Sequence, residues 1–279
     1  MSLNRSRFRR AMVAIAAGSL LILSGCSGQG ARLGLLEPAS DRAPAMGNLW
    51  LGFWIAAFVV GGLTLALILY APVRYRRRKG NAVPRQTKYN LPMELLYTLV
   101  PLLIVAVLFF FTVRAQNEVL DQSEPVDHTI NVVGQKWSWT FNYMEQDNGE
   151  VGNVVHQVGT MSQIPDLYLP VDKTIRFNLE SPDVIHSFWI PAFYFKLDAI
   201  PGHPNSFDVT PTKLGTYDGK CAELCGTYHA QMIFKVHVVT EQEYLAKLNE
   251  LAANGQVGEK KPQVSGTALA TQPAKEPHE

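Results

Sequence analysis

The sequence predicts a membrane-anchored all-β protein, a two-helix transmembrane hairpin followed by a β-sandwich or barrel. Three observations carry this reading. Two long uncharged runs, Leu49 to Tyr70 and Leu95 to Val113, lie in the first half; short stretches rich in β-branched and aromatic residues fill the second; and charge is divided unevenly between them. Of 279 residues, 47% are hydrophobic and 18% charged, too apolar a mixture for a disordered chain. The formal net charge of +1 conceals 13 basic and 2 acidic residues in 1–91 against 8 and 15 in 126–253, so the two ends face different surroundings. That balance gives no reason to expect nucleic acid as a partner. Three cysteines are too few for a disulfide-stapled scaffold.

Residues 1–25 read as a secretory signal. Arg5, Arg7, Arg9 and Arg10 precede an apolar run from Ala11 to Leu23 that closes on Leu23-Ser24-Gly25-Cys26. Thirteen helical residues cover only about 20 Å, short for a permanent crossing. Small residues before a cysteine have the form of a lipoprotein signal, with Cys26 as the lipid-bearing N-terminus; the alternative is a plain thiol just past an uncleaved anchor.

After an exported linker at 26–47, residues 48–114 form the hairpin. Its first run has 22 uncharged residues, enough to span a hydrocarbon core of about 30 Å. The loop 73–91 carries Arg74, Arg76, Arg77, Arg78, Lys79, Arg85 and Lys88, and the positive-inside rule places it in the cytoplasm. The second run, broken by Pro101 within its first two turns, returns the chain to the outside. The expected location is a bacterial plasma membrane, multi-pass, with everything after Arg114 on the extracytoplasmic side.

Residues 115–253 make the outer domain. Thr129 to Val133, Trp137 to Tyr143, Thr174 to Leu179, Val184 to Trp189 and Met232 to Val239 read as short strands, separated by Pro, Gly and Asn. Thr240-Glu241-Gln242-Glu243 reads as a capping box opening a terminal helix. Residues 254–279 lose periodicity and read as a disordered tail.

The segment from Cys221 to Met232 carries Cys221, Cys225, His229 and Met232, two thiols, an imidazole and a thioether within twelve residues. Soft sulfur combined with imidazole favours copper; zinc accepts two Cys and two His but gains little from a thioether. A second imidazole must come from elsewhere, from His128, His156, His186, His203 or His237. His186 stands in a β-rich segment before Ser187-Phe188-Trp189, where a strand could hold it against the loop.

The pattern Cys-x-Glu-x-Cys-Gly-x-x-His-x-x-Met, with Val184-Ile185-His186-Ser187-Phe188 upstream and Asp198-Ala199-Ile200-Pro201-Gly202 between, resembles the cytochrome c oxidase subunit 2 family of haem-copper oxidases. The resemblance runs from about Asn48 to Ala253. It implies a cupredoxin-like Greek-key β-barrel with a binuclear CuA centre. Cys221 and Cys225 would bridge two copper ions, His186 and His229 would each ligate one, Met232 would be a weak ligand, and Glu223 would offer its backbone carbonyl. Trp137 aligns with the aromatic residue that receives electrons from cytochrome c, although Lys136 and His203 depart from the usual residues there, and Asp183 and Asp198 are candidates for docking.

The resemblance also implies magnesium at the subunit boundary through the Glu223 side chain, and a proton-uptake role for Glu94. Partners would be oxidase subunits 1 and 3, a c-type cytochrome donor, membrane lipid and a copper-insertion chaperone. The implied activity is passage of electrons to haem in subunit 1, for proton-translocating reduction of oxygen to water. The rival readings are a quinol oxidase subunit lacking copper, a mononuclear copper carrier or chaperone, and a zinc-stabilised structural domain.

Overall fold

The computed structural model describes residues 32–76 and 86–261. The signal segment with Cys26, residues 77–85 of the basic loop, and residues 262–279 of the expected tail lie outside the described residues. The chain divides into two compact units, one holding the helical hairpin and the other Pro38–Ala43 together with everything from Leu120 onward.

Helices α1 (Ala43–Arg74) and α2 (Leu91–Val119) are both long and apolar enough to cross a membrane. Their 32 and 29 residues measure roughly 48 and 44 Å, more than a hydrocarbon core requires. Helix α2 starts four residues before the uncharged run because its first turn is closed reciprocally: the Met93 N–H donates to Asn90 Oδ1 at 3.4 Å and the Asn90 N–H to Glu94 Oε1 at 3.1 Å. Pro101 therefore lies about three turns inside the helix, deeper than expected. Having no N–H, it leaves the Tyr97 carbonyl without its helical donor.

The outer unit is a sandwich of two five-stranded sheets. Its strands are β1 (His128–Gln135), β2 (Ser138–Glu145), β3 (Asn153–Val158), β4 (Asp166–Pro170), β5 (Ile175–Glu180), β6 (His186–Ile190), β7 (Phe195–Ala199), β8 (Asn205–Val209), β9 (Gly215–Cys221) and β10 (Ile233–Val239). One sheet runs β3-β2-β1-β5-β8 and the other β4-β10-β9-β6-β7, with parallel pairs at β1/β5 and β4/β10. Alternating strand residues meet between the sheets around Trp139, Phe141, Phe177, Phe188 and Phe234, all at most 1% exposed. Each such ring contributes about 1.5–3 kcal/mol by its burial. Phe188 and Phe234 stack at 4.9 Å, and Trp139 meets both edge-on.

Helix α3 (Glu241–Ala253) opens with the expected capping box on Thr240 and Glu243 and buries Tyr244, Leu248 and Leu251 against the sandwich. Two segments differ from expectation. Residues 38–43, read as part of a linker, belong to the outer unit: the Ala39 N–H donates to the Ala192 carbonyl at 2.9 Å and Ser40 Oγ to the Phe193 carbonyl at 2.9 Å. Residues 254–261, read as the start of the disordered tail, are hydrogen-bonded to the first sheet. The Lys260 N–H donates to Asn142 Oδ1 at 2.8 Å, and His156 Nδ1 lies 2.7 Å from the Gly258 carbonyl. Burying the polar Asn142 and His156 requires such partners, and backbone groups supply them.

Candidate metal centre

Three elements converge at one end of the second sheet. Strand β9 ends on Cys221, β6 begins on His186, and the loop from Ala222 to Met232 joins β9 to β10. The loop is fastened at its base, where the Cys221 N–H donates to the Met232 carbonyl at 2.9 Å, the Ala222 N–H to the Ser187 carbonyl at 3.0 Å, and the buried Trp139 indole to the Met232 carbonyl at 3.3 Å. A short 3-10 helix, His229–Gln231, returns the chain toward the sulfurs.

Cys221 and Cys225 are both free and buried, with Sγ atoms 3.9 Å apart. That is far beyond the roughly 2.05 Å of a disulfide. Each sulfur has its own imidazole: His186 Nδ1 lies 3.8 Å from Cys221 Sγ, and His229 Nδ1 lies 3.6 Å from Cys225 Sγ. Met232, fully buried, places Sδ 3.8 Å from Cys225 Sγ, and the Glu223 carbonyl lies 3.3 Å from Cys221 Sγ. The ligand atoms of His186, Cys221 and Cys225 all lie within 4.8 Å of one another, a grouping able to hold a metal ion.

Electrostatics at the pair are unequal. Burial opposes ionisation of Cys221, but the His186 ring and the backbone of Ser187 and Glu223 hydrogen-bond the sulfur and bring its thiol down to about 6. Burial and the neighbouring Cys221 sulfur push the Cys225 thiol up to about 12. Two thiolates this close are therefore stable together only with positive charge between them. The chemistry of the donor set fits copper: two convergent thiols, two imidazoles and a buried thioether make a soft set for which zinc has less use.

Other residues orient this shell. Asp183 Oδ1 lies 2.9 Å from His186 Nε2, and the same carboxylate accepts from the N–H groups of Lys136 at 2.8 Å and Val184 at 2.7 Å. Burial would raise the Asp183 carboxyl, yet these contacts hold it below its usual value. Asp183, expected as a docking acid, is thus an internal acceptor. The sequence offered a signal for it only in its position three residues before His186.

Trp137 sits in the turn between β1 and β2, half-buried. Its indole N–H donates to the Cys225 carbonyl at 3.2 Å, and its ring meets Tyr228 edge-on at 5.0 Å. Gly226 has a φ of +123° and lies against the indole, so a β-carbon there would be 3.2 Å from it. Trp139, in contrast, is wholly in the core.

The remaining expected residues are dispersed. His128 pairs with Glu145, His156 with the Gly258 carbonyl and His237 with Asp166, while His203 is exposed on the turn after β7. The Glu223 side chain is exposed, and Glu94 caps α2 in the other unit.

Two helices long and apolar enough to cross a membrane, followed by a β-sandwich with a two-cysteine, copper-fitting loop, define the class: a membrane protein with a copper-binding domain. Residues 128–239 match the family described as "Cytochrome C oxidase subunit II, periplasmic domain". The probable cytochrome c oxidase subunit 2 of Streptomyces avermitilis is 44% identical over 284 residues, covering 90% of this chain and 89% of that protein. Cytochrome c oxidase subunit 2 of Corynebacterium glutamicum is 35% identical over 274 residues, covering 79% and 76%. The periplasmic domain of subunit II of cytochrome oxidase from Bradyrhizobium japonicum, a solved structure, is 30% identical and covers 47% of this chain and 97% of that one, with a TM-score of 0.41. The chain belongs to the cytochrome c oxidase subunit II family. It is thus a subunit of a haem-copper terminal oxidase, an oxidoreductase with further subunits.

Proposed function

We propose that this chain binds two copper ions and relays electrons one at a time from a c-type cytochrome, outside the plasma membrane, to haem in oxidase subunit 1. The observation that carries the reading is the pairing of each buried sulfur with its own imidazole nitrogen, His186 on Cys221 and His229 on Cys225. A single tetrahedral ion would be satisfied by the two thiols and two imidazoles and would leave the buried Met232 thioether and the Glu223 carbonyl, both beside the sulfurs, without a role. His186, Cys221, Cys225, His229 and Met232 would hold the copper through side chains and Glu223 through its carbonyl. Bound there, the copper supplies a one-electron carrier whose charge is shared over both thiolates, feeding proton-translocating reduction of oxygen to water in the partner subunit.

The protein's own part is to hold the ligands still and dry. The β9, β6 and β10 backbones fix the loop ends, Asp183 orients the His186 ring, and the Phe188, Trp139 and Phe234 cluster closes the floor. Trp137, bonded to the ligand loop at Cys225, is where electrons would enter, and the acidic balance of the domain favours a basic donor. The exposed Glu223 carboxylate is free to face magnesium at the boundary with subunit 1. Subunit 3 and a copper-insertion chaperone complete the partners. Glu94 has the capping bond to Asn90 as its supported role, with proton uptake resting on the family alone.

The test is copper counting with spectroscopy on the purified oxidase. Two coppers in this subunit, a purple absorption and a mixed-valence EPR signal are expected, with both signals lost in Cys221→Ser or His186→Ala. One copper per subunit, or an unchanged spectrum in either variant, rejects the ligand set.

A further inference from the structure

We propose that the hairpin carries a phospholipid site at the end that leads into the outer domain, one acyl chain lying between α1 and α2 with the lipid phosphate on Arg114. A cavity of about 540 Å³ lies between the two helices. Its walls are apolar, with Gly52 and Phe53 on α1 facing Leu108 and Phe111 on α2, and its mouth carries Asn48, Arg114 and Glu118. At Gly52 a β-carbon would meet no heavy atom within 4 Å, so the missing side chain leaves open space on the groove wall.

The position along the helices identifies the occupant. Arg114 directly follows Val113, the last residue of the uncharged run, and is exposed, with no hydrogen bond or ion pair to another described residue. Trp50 and Trp54 on α1 fall at the same end of the hairpin, where aromatic residues anchor helices at the edge of the hydrocarbon layer. A guanidinium at that depth seeks a phosphate, for which its planar array of donors is suited. An apolar slot opening onto such a cation complements a phosphodiester above an acyl chain. A neighbouring protein helix would have to fill the slot with side chains and also bring an acid to Arg114.

The experiment uses the intact oxidase complex, transferred to nanodiscs of equal parts phosphatidylcholine and phosphatidylglycerol and analysed by native mass spectrometry. Gly52→Leu fills the groove, and Arg114→Gln removes the cation while keeping a polar side chain. Each variant should lose one retained phospholipid per subunit, with occupancy in Arg114→Gln falling roughly tenfold, as expected for one charge-assisted hydrogen bond. A photo-crosslinking residue at Asn48, at the mouth of the groove, should label lipid. An unchanged lipid count in both variants, or crosslinking to another polypeptide, overturns the site. The copper spectrum, recorded on the same samples, should stay unchanged, which separates this test from that of the copper relay.

Discussion

Asp183 Oδ1 lies 2.9 Å from Nε2 of His186, while Nδ1 of the same ring faces Cys221 Sγ at 3.8 Å. The ionised carboxylate accepts a hydrogen bond from Nε2–H and so leaves the Nδ1 lone pair directed at the sulfur pair. One acid thus sets both the tautomer and the orientation of a buried imidazole beside the sulfur pair. Because Asp183 also accepts from the backbone of Lys136 and Val184, the turn before β2 and the start of β6 are tied to the same atom pair.

Asp183→Asn should therefore weaken copper binding about 10- to 100-fold without unfolding the domain, the range found when outer partners of metal-bound histidines are removed. Chelator competition read at the copper absorption measures this. Unaltered affinity would show the carboxylate to be irrelevant to the centre.

Trp137→Phe keeps a ring against Tyr228 and Gly226 but removes the indole N–H that reaches the Cys225 carbonyl. Electron transfer from reduced c-type cytochrome should slow several-fold in stopped-flow while the copper spectrum persists. Equal rates in the two proteins would place the donor's contact elsewhere.

Glu145 supplies a pH dependence. It is 4% exposed, and burial alone would raise its carboxyl; the His128 ring at 2.8 Å, the Tyr244 hydroxyl at 2.9 Å and the Asn148 amide together bring it below the usual carboxylate value. A lowered folded value means stability that is present above the unfolded value, near 4.3, and is lost as pH falls through the folded value. Glu145→Gln should cost about 1.5–3 kcal/mol at neutral pH. Denaturant titrations should show the gap between the two proteins narrowing below pH 4; a gap constant with pH would contradict the charged cluster.

At Gly219 a β-carbon would come within 2.1 Å of Phe234, whose ring is held by stacking on Phe188. Gly219→Ala should therefore cost about 1–3 kcal/mol through overpacking. A thermal melt followed at the copper absorption would register this as a lower Tm, and an unshifted Tm would mean the aromatic stack yields freely.

Half of the strands were legible as runs of β-branched and aromatic residues. The other half, β3, β4, β7, β8 and β9, were not. Strand β9 reads Gly-Thr-Tyr-Asp-Gly-Lys-Cys, without alternation; it is extended because β10 and β6 flank it and bond its backbone. Helix α3 was legible because its capping box and apolar spacing are local.

The sequence by itself determined two uncharged spans, an acidic second half and a loop that brings two thiols, an imidazole and a thioether within twelve residues, since hydropathy and ligand spacing are properties of contiguous chain. Only the tertiary structure brought His186, which the family pattern had singled out among five distant histidines, onto that loop, and decided that Asp183 holds the ring rather than facing solvent and that residues 38–43 and 254–261 join the sandwich. Those choices depend on strand pairing between segments far apart in the chain, and on where buried polar groups find partners.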